Sequence, residues 1–141
     1  MWLPRMIGSA VHGILLAFPT ALFPAALVTD IAYLRTAQMQ WTNFSAWLIA
    51  GALVFTGVVL AWSLVELLLG LRLDRRRRRL VYPGLLAFLF VLGLLNAFKH
   101  SQDAWSSVGA FGLILSILCT LLALVAAFIA FSGVLNREVA R

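Results

Sequence analysis

Four long apolar stretches, Met6 to Leu34, Phe44 to Leu71, Leu80 to Phe98 and Val108 to Ser132, fill most of the chain. Charged residues gather in the short intervals between them. Each stretch is near or above the ~20 residues needed to cross about 30 Å of hydrocarbon. In lipid every backbone N–H and C=O must be satisfied within the segment, so segments of this kind fold as helices. The pattern predicts an all-α fold. It is an integral membrane four-helix bundle, one domain over residues 1–141 with helices about 6–34, 44–71, 80–98 and 108–132.

Composition leaves no room for a soluble domain. Hydrophobic residues make up 63% of the chain and charged residues 11%, where soluble domains carry about 25% charged. The single cysteine, Cys119, falls inside the fourth stretch, which excludes a disulfide framework and a thiolate metal cluster. The first stretch follows Arg5 and contains Ala25-Ala26, as a cleavable signal would. It is, however, about twice the length of the ~7 to 15-residue core of a signal and carries Pro19 and Pro24, so a retained helix is expected.

Charge sets the expected orientation. In a four-helix weave, Arg5, Arg72, Arg75 to Arg79, Arg137 and Arg141 fall on one side, and only Arg35 and Lys99 on the other. Basic residues close to membrane ends are retained in the cytoplasm, which predicts that both termini are cytoplasmic. Trp41, Trp47 and Trp105 then mark the outer interface. The run "RLDRRRRRL" reads as an inside anchor that contacts anionic lipid through Arg75 to Arg79, with no role in nucleic-acid binding.

The fourth stretch carries a regular line of small residues: Gly109, Gly112, Ser116, Cys119, Ala123, Ala126, Ala130 and Gly133. Their alternating spacing of three and four makes a seam that allows close helix approach, with left-handed crossing. Packing within the bundle is the first reading of this seam. A homodimer interface is the alternative.

"HGILLAFPTALFPAALVTDIAYLRT", "WTNFSAWLIA", "HSQDAWSSV" and "FGLILS" together resemble the bacterial four-helix membrane family known as domain of unknown function 2231. The resemblance implies the fold and an inner-membrane, multi-pass location, and it assigns no reaction. His12 and Phe18-Pro19 match the family's first-helix motif, but Gly13 stands where a proline is usual and Ala17 where many members have a second histidine. The tail "GVLNREVAR" also lacks the Tyr-Arg-His element common in the family. Both departures remove histidines that a haem would need.

Two groups of polar residues are candidates for chemistry. If the first hairpin turns near Met39, His12 and Glu66 lie at equal depth near the cytoplasmic face and form a polar pair within the membrane. At the other end Asp30 needs a donor, and Arg35, Lys99 and His100 are at its depth; with Tyr33 and Asp103 they form a candidate ligand or partner site. Asn96, Asn43 and Ser45 enlarge this polar set. Spacing offers no metal site. Pro19 and Pro24 deprive the carbonyls of Leu15 and Thr20 of their helical donors and predict a bend beside the polar positions.

Nucleotide-binding loops, dinucleotide fingerprints, Cys-x-x-Cys and zinc-type histidine pairs are all absent from the sequence. The expectation is a non-enzymatic accessory or partner-binding membrane protein whose polar face is periplasmic, with no cofactor. Alternatives are a redox module holding haem b or quinone, and a small transporter or channel.

Overall fold

The computed structural model describes residues 3–69, 76–102 and 108–132, with side chains described from residue 10 onward and, in the third helix, from residue 80. Four helices follow one another: α1 (Leu3–Thr36), α2 (Met39–Leu68), α3 (Arg76–His100) and α4 (Ala110–Ser132). All four are long and apolar enough to span a membrane. Each packs on its sequence neighbour, and α4 closes the ring against α1. This ring has two ends. The hairpin end holds the α1–α2 turn, the end of α3 and the start of α4; the opposite end holds the start of α1, the end of α2 and the starts of α3 and the close of α4.

Helix limits differ from the sequence expectation mainly at α2, which begins at Met39 rather than Phe44. The polar residues Gln40, Thr42 and Asn43 are therefore helical. The cause is a very short turn. Ala37 takes a left-handed conformation (φ 53°) and its N–H bonds the Tyr33 carbonyl at 2.8 Å, which ends α1. A methyl side chain is strained there, costing roughly 1–2 kcal/mol relative to glycine. Ala37→Gly is expected to raise bundle stability by about 1 kcal/mol in a thermal melt.

Residues Phe23, Ala26, Ile49, Ala52, Leu53, Leu89, Cys119 and Ala123 form one buried layer on the hairpin side of the core. Leu16, Val59, Tyr82, Leu86 and Ala126 form a second layer nearer the other end. Burial in lipid brings little hydrophobic drive, so close contact between shapes decides the packing. Gly93 shows how close the contact is: a Cβ there would stand 2.8 Å from Leu53 Cδ2 and 3.3 Å from Phe23 Cζ.

The small-residue line of α4 turns largely into the bundle. Gly112, Ser116, Cys119, Ala123 and Ala126 are buried, whereas Leu118 is exposed. Gly109 departs from the expectation: it is exposed and precedes the helix, so it takes no part in the seam. Ala130 is half-buried and Gly133 lies outside the described residues.

Candidate functional site

Asp30 is fully buried near the hairpin end of α1 and has both carboxyl oxygens engaged. His100 Nε2 lies 2.9 Å from Oδ1, and Ser116 Oγ donates to Oδ2 at 2.5 Å. Ser116 accepts in turn from Asn96 Nδ2 at 3.0 Å. His100 Nδ1 faces the Asn96 carbonyl at 2.9 Å. One node thus joins α1, α3 and α4. The adjacent residue brings in α2: Thr29 Oγ1 donates to the Ala26 carbonyl at 2.8 Å and lies 2.6 Å from Ser45 Oγ.

The protons of this node can be counted from its partners. A carbonyl only accepts, so His100 Nδ1 carries a hydrogen. One further proton lies between His100 Nε2 and Asp30 Oδ1, on whichever atom. Imidazolium with carboxylate, or imidazole with carboxylic acid, both leave the pair electrically neutral. A neutral, fully bonded pair is the form a hydrocarbon surrounding favours.

His100 also lines a cavity of about 300 Å³ that opens at the hairpin end, together with Met39, Gln40, Thr42, Asn43, Ala46 and Gln102. Both ring nitrogens of His100 are turned to Asn96 and Asp30. Gln40, Asn43 and Gln102 bring amide groups to the cavity lining. Lys99 Nζ donates to Gln102 Oε1 at 2.8 Å, leaving the Gln102 amide hydrogens for other acceptors.

Of the candidate set at this end, Asp30 and His100 come together. Lys99 serves Gln102 instead, Arg35 is exposed, and Tyr33 is half-buried. Asp103 lies outside the described residues, as do Arg72 and Arg75; Arg76 to Arg79 open α3, and their side chains are not described. Sequence reasoning missed Ser116 as a partner of Asp30. It had placed this residue in the α4 seam on size alone, although a hydroxyl among glycines and alanines was the available signal. Among the described residues no three His, Cys, Asp or Glu side chains group to hold a metal.

At the opposite end His12 and Glu66 stand in one cluster with Trp62 and Tyr82. His12 Nε2 and the Tyr82 hydroxyl are 2.8 Å apart, the Trp62 ring stands edge-on to His12 with centroids 6.2 Å apart, and Trp62 Nε1 donates to Glu66 Oε1 at 2.9 Å. The position of the turn sets which residue of α2 faces His12. The contacts His12 with Trp62 and Thr29 with Ser45 are both symmetric about residue 37, where the chain reverses. A turn at residue 37 rather than Met39 sets Trp62 directly opposite His12, with Glu66 one helical turn further along α2.

The two ends share one register. Asp30 with His100 and His12 with Tyr82 are each separated by 70 positions. Antiparallel neighbours make α1 and α3 parallel across the ring, and a constant offset is what two parallel helices give. Asp30 follows His12 by 18 residues, five turns, which keeps both on one face.

Searches against curated proteins and against solved structures gave no match. The family described as "Predicted membrane protein (DUF2231)" matches residues 8–137, nearly the whole bundle, and the chain belongs to that family.

Proposed function

We propose that this protein is a non-enzymatic accessory component of the bacterial inner membrane, with both termini cytoplasmic, that receives a polypeptide partner at its hairpin end from the periplasm. The observation that carries the reading is the open cavity lined in part by His100. Gln40, Asn43 and Gln102 offer amide donors and acceptors, and Met39 and Ala46 supply an apolar wall. Such a lining suits a neutral hydrogen-bonding group, as the backbone or amide side chains of a partner loop provide. The excess of arginine at the other end supports the orientation. Anionic lipid at Arg75 to Arg79 would anchor the cytoplasmic side.

Two other functions fit the geometry less well. His12 is bonded to Tyr82, and Tyr82 precedes His100 by 18 residues on one helix, roughly 27 Å. One chain therefore does not bring its two histidines to a single haem. A transport path would have to pass the buried layers of Phe23, Leu53, Leu86 and Leu89, which separate the two polar ends.

The test uses Asn43→Trp, which fills the cavity and replaces no residue of the Asp30 node, and Glu66→Gln at the opposite end. Protein purified from native membranes in mild detergent should lose its co-purifying partner with Asn43→Trp and keep it with Glu66→Gln, at matched melting temperature. Retention with Asn43→Trp and loss with Glu66→Gln would place the working surface at the other end.

A further inference from the structure

Two buried oxygen atoms near the Asp30 node have no hydrogen-bond partner among the described residues: Asn96 Oδ1 and Thr120 Oγ1. Asn96 is fully buried and Thr120 more than nine-tenths so. Ser116 connects the two residues along the fold. Oδ1 is the second branch of the amide whose Nδ2 reaches Ser116 Oγ at 3.0 Å. Thr120 follows Ser116 by one turn on α4, a spacing that sets Cβ atoms about 5–6 Å apart. An amide oxygen only accepts, whereas a hydroxyl both donates and accepts. In a hydrocarbon surrounding, neither atom has bulk water to turn to, and buried polar groups left unpaired are rare for that reason.

We propose that Asn96 Oδ1 and Thr120 Oγ1 hold one buried water molecule, which donates to the amide oxygen and accepts from the threonine hydroxyl. Two partners of opposite sense are what a buried water needs at the least. A metal cation is a poorer guest. Hard cations bind through about six or more oxygens, and both oxygens of Asp30 are already taken by His100 and Ser116. With the water in place the polar node runs from His100 through Asp30, Ser116 and Asn96 to Thr120, hydrated from within. This inference is independent of what the outer cavity binds.

Thr120→Val decides the matter by the sign of its effect. Valine matches threonine in shape, so if the hydroxyl is alone its removal deletes an unsatisfied buried group and the melting temperature rises. If a water joins the two residues, removal strands the water and the Asn96 oxygen, and the melting temperature falls. We expect a fall in lipid nanodiscs, on the order of a few degrees, with Thr120→Ser staying above Thr120→Val. Exchange of sodium for choline should leave the wild-type value unchanged. A rise with Thr120→Val overturns the proposal; so does a sodium-dependent stabilisation that vanishes in that variant, which would make the guest a cation.

Discussion

Asp30→Ala and His100→Ala should each destabilise the bundle by about 3–5 kcal/mol, whereas the double replacement Asp30→Leu/His100→Leu should recover most of that loss. The asymmetry follows from proton and charge counting. The wild-type pair is neutral and bonded at every polar atom: His100 has Asn96 and Asp30, and Asp30 has His100 and Ser116. Removing His100 leaves a carboxyl with one partner in a fully buried position, and removing Asp30 leaves an imidazole nitrogen and the Ser116 hydroxyl unpaired. Removing both takes the charge problem away with them. Ser116 and Asn96 still have one another, since the Asn96 amide donates to the serine oxygen. The measurement is a denaturation series in detergent on the two single variants and the double. A double variant as unstable as the sum of the singles would mean that the pair stabilises the fold outright, and the account of a mutually cancelling buried pair would be wrong. Asp30→Asn is the milder companion: it keeps the shape and can still bond Ser116, so its loss should be smaller than that of Asp30→Ala.

How much of this was readable beforehand depended on what lipid dictates alone. Four spans follow from apolar length, because a continuous apolar segment of about 20 residues satisfies its own backbone in hydrocarbon as a helix, and the described helices occupy all four. The need of Asp30 for a donor was legible for a similar reason, since a buried carboxyl cannot stay unpaired. Which donor it takes was not. Arg35 and Lys99 are charged and close in sequence depth, but long side chains at a helix end reach outward to water more cheaply than inward. Lys99 does so, bonding Gln102, while the shorter His100 stays within the ring. The bond between α1 and α3 also crosses between helices that are not neighbours in the ring, so no pairwise helix pattern announces it. At the other end the difference is one of register. A turn two residues earlier than assumed shifts the facing residue on α2 by four, and sequence alone does not locate a turn whose left-handed residue is an alanine rather than a glycine.

The second large effect concerns the places where helices touch. Gly93→Leu should destabilise by about 1–3 kcal/mol or more, the range for overpacking a filled core. Even the first carbon of the new side chain would stand 2.8 Å from Leu53 Cδ2 and 3.3 Å from Phe23 Cζ, and Phe23 is itself buried between α1 and its neighbours. Leu53 can swing its terminal carbons aside for a methyl, so Gly93→Ala should cost much less than Gly93→Leu. Ala123→Leu probes the same layer from α4, where Ala123 packs with Phe23, Leu53, Leu89 and Cys119. It should lower stability to a similar extent. Leu118→Ala, on the exposed face of α4, exchanges protein contact for lipid contact only slightly and should change stability least. These four variants can be ranked by melting temperature in one detergent. The order Leu118→Ala, Gly93→Ala, then Ala123→Leu and Gly93→Leu together is required if small residues set the distance between helices. A Leu118→Ala loss as large as that of Ala123→Leu would instead mean that the lipid-facing side of α4 is covered by protein, as in a dimer, and that its small residues do not govern the packing.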